Sequence, residues 1–286
     1  METQNLIARY MLENYPFTIA KKNWYKEKSS NPFRGWCLRD KIFTDTTKRK
    51  ADEDVARKCE DFLHNIPLAF LFCCQLDMGK PAWKAWRSSY LIATSISPSN
   101  FNPHYLSTMS KDLLIVVLEE NKLGCRNLTH DAAARNIIEL AKLITKKYDG
   151  KALNIWEAPK SFIELRDNLI AIPGFGPGLT NMCIKILLEL GMLTTIPKDS
   201  HSLRQLQVKA DIHVKKVLYR TGLAEEETEK SAYEAAIAYS YDCPMSLDIA
   251  GFAIGQKYCF KTDPNCDDCP VGTKKDGSRL CPRIGI

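Results

Sequence analysis

The chain has no apolar run approaching the ~18 residues of a helical membrane span, so no membrane partner is expected. Alternating strand patterns are scarce and no repeat recurs at a fixed period, which leaves an almost wholly helical, all-α reading. The opening stretch, METQNLIARYMLENYPF, lacks a basic segment followed by an apolar core. A cytoplasmic, nucleoid-associated or nuclear protein is therefore expected rather than a secreted one. Charge of one sign is not in great excess: 40 Lys and Arg stand against 34 Asp and Glu, a net +6. That balance permits a polyanionic partner without demanding one. The 286 residues suggest two domains, and 45% hydrophobic with 26% charged residues excludes a disordered or low-complexity chain.

Amphipathic patterns predict helices near 3–14, 52–64, 68–76, 82–95, 110–120, 129–147, 161–170, 179–190, 200–209, 214–221, 225–241 and 245–258. The clearest is 129–147. There Ala133, Ile137, Leu140, Ala141 and Ile144 share a face, Asp131 lies near the start and Lys146 and Lys147 at the end. The stretch 21–50 is polar, aromatic and poorly periodic, and reads as a long loop. Its run Lys48, Arg49, Lys50 reads as a solvated face.

Eleven cysteines are many for a reducing compartment, where disulfides are rare. Cys37, Cys59, Cys73, Cys74, Cys125, Cys183 and Cys243 are scattered, and Cys73 and Cys74 in their apolar run read as small buried hydrophobes. The other four crowd the C-terminal region as Cys259-x6-Cys266-x2-Cys269-x11-Cys281. Four thiolates within 23 residues can enclose one metal centre. Zinc sites more often pair two short knuckles, whereas one C-x2-C flanked by wider loops suits a bulky [4Fe–4S] cubane better. Lys257, Lys261, Lys274, Lys275, Arg279 and Arg283 interleave with these cysteines and could offset cluster charge or meet phosphate.

The segment 169–191, LIAIPGFGPGLTNMCIKILLELG, places Pro173 and three glycines between two helices. Pro173 cannot continue the first helix. Gly174, Gly176 and Gly178 allow close backbone approach, and free amides at the start of the second helix could meet a phosphate. A tight helical corner is the alternative. A dinucleotide loop is disfavoured, because the preceding segment is helical rather than a strand.

Taken in order, these motifs resemble the helix-hairpin-helix DNA glycosylases that carry a C-terminal iron–sulfur loop, such as endonuclease III. The hairpin IPGFGPG matches, the segment IPKDSHSLRQL follows about 20 residues later, and the tail keeps the C-x6-C-x2-C spacing. Weaker similarity reaches back through ARNIIELAKLI to LFCCQLDM, roughly 62–281 in all. The resemblance implies a two-domain fold with a DNA-binding cleft. A six-helix bundle would span 65–191, and 1–64 plus 192–286 would form a discontinuous iron–sulfur domain with its cluster loop at 259–281. It implies Cys259, Cys266, Cys269 and Cys281 as ligands of a [4Fe–4S] cluster, Gly174, Gly176 and Gly178 as DNA contacts, and Asp199 as the essential carboxylate. A carboxylate would stabilise oxocarbenium-like charge or activate water; taken alone, Asp199 also reads as a helix N-cap. Gln75 falls where the family places a wedge that fills the gap left by a flipped base, with a helix-surface amide as the alternative.

The departures narrow the chemistry. Members with lyase activity carry a lysine where this chain has Gly178, so the usual Schiff-base nucleophile is missing. Lys198 and Lys185 are the candidate substitutes. The acidic residue that adenine glycosylases carry in the first barrel helix has no counterpart in the apolar stretch IPLAFLFCC, and the x11 gap before Cys281 exceeds the usual x5. The expectation is a monomeric, monofunctional glycosylase acting on double-stranded DNA that contains a modified base. A bifunctional glycosylase/lyase and a non-catalytic DNA-structure-binding protein are the alternatives.

Overall fold

The structure is a computed structural model that describes residues 2–17, 19, 58–59, 61–63, 66–78, 82–124, 128–272 and 280–286. The loop expected at 21–50, most of the helix expected at 52–64, and Cys37, Cys125, Lys274, Lys275 and Arg279 lie outside the described residues.

Every regular element of the described residues is helical. In chain order they are α1 (Glu2–Asn14), α2 (Pro67–Leu76), α3 (Ala82–Ala85), α4 (Ser88–Ile96), a 3-10 turn (Pro98–Asn100), α5 (Pro103–Thr108), α6 (Lys111–Glu120) and α7 (His130–Lys147). Then follow α8 (Asn154–Glu157), α9 (Phe162–Ile170), α10 (Pro177–Glu189), α11 (Ser200–Leu203), α12 (Ile212–Arg220), α13 (Glu229–Tyr239) and α14 (Ser246–Lys257). The all-α expectation holds.

Local chemistry sets the ends. Thr129 caps α7 by accepting from Ala132 N, with Asp131 in the first turn and Lys146 and Lys147 in the last. Ser161 caps α9 by accepting from Glu164 N, and Glu164 reaches back to accept from Lys160 N at 2.7 Å. Thr228 caps α13, so that helix starts at Glu229 rather than at 225, the first residue of the acidic run.

Two expected helices differ. The helix expected at 82–95 is broken into α3 and α4, with Trp86 and Arg87 between them. The helix expected at 200–209 stops at Leu203. Beyond it Leu206, Val208 and Ala210 are buried while Gln205, Gln207 and Lys209 are half-buried, the two-residue period of extended chain.

That extended stretch joins two hydrophobic cores. Leu206 belongs to the first, which includes Phe70, Phe72, Trp86, Phe101, Leu140, Trp156 and Leu187. Val208 and Ala210 belong to the second, with Ile7, Met11, Val214, Val217, Leu247, Ile254 and Val271. In the second core α14 packs against α12 and against α1. Glycine makes the α12–α14 approach possible: a Cβ at Gly255 would stand 2.7 Å from the His213 Cβ.

One ion pair bridges α10 and α14. Lys185 Nζ donates to Asp248 Oδ2 at 2.7 Å, with side chains only 15% and 2% exposed. Burial, the largest single influence, would lower the Lys185 amine, but the carboxylates of Asp248, Glu189 and Asp211 together hold it above its ordinary range. Lys185→Met should therefore destabilise the protein by about 3–5 kcal/mol, because Asp248 is left buried without its cation. Adding Asp248→Leu should recover most of that loss. Chemical denaturation of both variants checks it, and a single variant as stable as wild type would contradict it.

Candidate functional site

The hairpin is built by the end of α9 and the start of α10. Ile172 and Phe175 are buried and anchor the turn, and Phe175 N donates to Ile172 O at 3.0 Å. Gly174 lies between them at φ +83°, a backbone state that costs other residues about 1–2 kcal/mol. A Cβ there would also stand 2.5 Å from Asn136 Nδ2. Pro177 is the first residue of α10, where its missing N–H costs nothing, and Thr180 N donates to Gly176 O at 3.0 Å.

Gly176 and Gly178 differ in kind from Gly174. Gly176 has φ −96° and ψ 179°, open to any residue. A Cβ at either position would meet nothing within 4 Å. Among the described residues the N–H groups of Gly176, Gly178 and Leu179 have no acceptor. The hairpin thus offers free amides on a surface kept bare of side chains, an arrangement that accepts an anionic oxygen.

Gln75, near the end of α2, is not a helix-surface amide: it is 1% exposed. Its Nε2 donates to Pro173 O at 2.6 Å and to Asn136 O at 3.1 Å, so in this structure it contacts the hairpin.

Asp199 caps α11, accepting from Ser202 N at 2.8 Å, and is exposed. That backbone N–H holds its carboxyl below the usual range, so it stays charged at neutral pH. Beside it Lys198 Nζ donates to Leu193 O, and burial lowers its amine. Lys185, the other candidate substitute, is paired with Asp248 between α10 and α14.

The four clustered cysteines line one pocket, together with Arg220, Tyr258 and Arg283. Val217, Ile254 and Val271 supply its apolar wall. Among the described residues no three His, Cys, Asp or Glu side chains close around one point as a single ion requires. Burial and the neighbouring Cys281, Cys259 and Cys266 push the Cys269 thiol up to about 11, a mutual repulsion that a cationic centre would relieve. Gly272 turns against the Cys266 and Cys269 carbonyls where a Cβ would clash.

Two contributors are not evident from spacing. Arg220, buried, donates to Phe260 O at 2.6 Å and Lys261 O at 3.0 Å, while Cys281 Sγ donates to Arg220 O at 3.3 Å. Its one sequence signal is the i, i+4 pair Lys216 and Arg220 within the buried stripe of α12. Asn136, beneath Gly174, carries no such signal.

No family model matches the chain, and no curated protein matches it by sequence. Solved structures do. Two endonuclease III–DNA complexes, one a trapped covalent intermediate with an estranged adenine and one non-covalent, each give a TM-score of 0.51 at 18% identity, covering 80% of this chain and 94% of theirs. A thermostable thymine-DNA glycosylase gives 0.52 at 14% identity, covering 94% of this chain and 93% of that one. The chain has the helix-hairpin-helix glycosylase fold. Within that fold its hairpin helix starts at Pro177, and the cysteine cavity follows directly on α14.

The two kinds of hairpin glycine separate by stability. Gly174→Ala should destabilise the protein by at least about 1–2 kcal/mol. Gly176→Val, at an open position, should stay within about 0.5 kcal/mol of wild type. Thermal unfolding of both variants checks this; equal losses would contradict it.

Proposed function

We propose that this protein is a monofunctional DNA glycosylase: it binds double-stranded DNA, flips a modified base from the stack and hydrolyses its N-glycosidic bond. The hairpin carries this proposal. Glycine occupies two positions, Gly176 exposed and Gly178 half-buried, where the protein itself leaves room for side chains, beside amides with no internal acceptor. A phosphate of the DNA backbone is the natural guest, since such contacts ignore sequence. The solved structures of the same fold include endonuclease III bound to DNA, which supports that guest. The two cores are taken as the two domains, with the DNA between them.

Asp199 supplies the charge the reaction needs. As the C–N bond breaks the sugar gains oxocarbenium character. Water's oxygen bonds to the sugar carbon, and the base leaves with a proton. A carboxylate already ionised at neutral pH stabilises that cation or takes the proton of the attacking water. With Gly178 in the position of the lyase lysine, the expected product is an intact abasic site. A second proposal, lyase chemistry through Lys198, is favoured by one observation: burial lowers that amine, next to Asp199.

Cys259, Cys266, Cys269 and Cys281 supply the ligand set of a [4Fe–4S] cluster, since four thiols at that spacing line one pocket. When bound, the cluster would brace the loop and hold charge near it; hydrolysis requires no redox step. Purified protein is expected to be brown, with iron and inorganic sulfide near four of each per chain. Colourless protein with stoichiometric zinc would overturn the cluster.

Asp199→Asn keeps the shape and most of the capping capacity, so the variant should fold and bind DNA. Excision should fall by at least about a hundredfold, the scale of one lost catalytic group. Borohydride should trap no covalent complex with the wild type. Unchanged excision by the variant would remove Asp199 from the mechanism, and an adduct lost on Lys198→Met would establish the lyase.

A further inference from the structure

We infer that Gln75 is the clamp that sets the hairpin: through its side-chain amide it holds the Pro173 carbonyl and so aims the free amides of Gly176, Gly178 and Leu179 outward. The inference rests on the DNA-binding proposal above and gives that site its positioning residue. Gln75 is 1% exposed, and its Nε2 donates to acceptors 98 and 61 residues away, Pro173 O at 2.6 Å and Asn136 O at 3.1 Å. No backbone N–H of the described residues donates to Pro173 O. The next residue, Gly174, makes the left-handed turn at φ +83°, and the Asn136 side chain fills the place its Cβ would take. Gln75 and Asn136 therefore grip the turn from two sides, immediately before the amides.

The chemistry requires a donor at residue 75. Both partners are carbonyl oxygens, so only the NH2 end of the amide can face them. The remaining Oε1 is buried with no partner among the described residues, a cost that reversing the amide would only increase by setting oxygen against two carbonyls. A side chain kept solely to enter DNA would have no need of these two bonds.

Gln75→Met keeps the length and removes the donors. It is compared with wild type and with Gly176→Val in the full chain. Three readouts are taken: thermal midpoint, native-state hydrogen exchange at the Phe175 and Thr180 amides, and affinity for unmodified and modified duplexes. Exchange at the hairpin should accelerate by at least about tenfold, the scale of one or two lost hydrogen bonds, while amides of α12 and α14 in the second core keep their rates. Affinity should fall by a similar factor for both duplexes. In the Gly176→Val background, where the anion site is already covered, Gln75→Met should add little further loss. Three results would overturn the clamp. One is unchanged hairpin exchange with weaker binding only to the modified duplex, the signature of a wedge. Another is a loss of protection spread evenly over the hairpin, α12 and α14, the signature of general destabilisation. The third is full additivity with Gly176→Val. A wild type that binds no duplex would sink the DNA proposal and the functional half of the clamp with it, whereas the exchange measurement fails or succeeds without DNA.

Discussion

The buried pair between Lys185 and Asp248 is the constraint on which the arrangement of the molecule depends. Lys185 lies on α10, the helix whose first residues are the hairpin. Asp248 lies on α14, the helix that runs into Cys259. Charges this deep are tolerated only at close range, because each alone would have to shed its water without return. A separation of 2.7 Å is therefore a positional demand as well as an attraction. It fixes the helix that offers free amides against the helix that presents the cysteine loop.

Around that constraint the chain uses glycine for different physical ends. At Gly255 the missing side chain lets two helices approach, and at Gly272 it lets the loop fold over its own carbonyls. At Gly174 the backbone needs a left-handed turn. At Gly176 and Gly178 nothing inside the protein requires glycine. For the last two, the proposed phosphate contact would supply a reason from outside the chain. Arg220 has a comparable organising part in the other half. It satisfies the carbonyls that follow the first cysteine and accepts from the last, so the loop is seated by the second core before any cluster is considered.

Much of this was legible in sequence where the signal is local. The cap at Thr129, the charges at Asp131, Lys146 and Lys147 and a steady apolar stripe announce α7. Pro173 and the three glycines mark the hairpin, and the cysteine spacing marks the cavity. What was missed is mostly nonlocal. The run 200–209 mixes a capping aspartate with apolar residues that a helix could also use, and only the two-residue period of Leu206, Val208 and Ala210 betrays the extended crossing. The break before Ser88 has no glycine or proline within 82–95 to announce it. The grip of Gln75 on Pro173 spans 98 residues, and that of Arg220 on Phe260 spans 40. No pattern along the chain encodes such pairs, since they exist only once the helices have packed.

The most direct test of glycosylase action is release of free base. Wild-type protein would be incubated with a panel of duplexes, each carrying one alkylated, oxidised, deaminated or hypermodified base, and the small-molecule fraction analysed by mass spectrometry. The expected result is one free base in equal amount to alkali-labile abasic strand, from at least one duplex. Tight, salt-sensitive binding to these duplexes with no base released from any of them would contradict the glycosylase and leave a DNA-binding protein on the same scaffold.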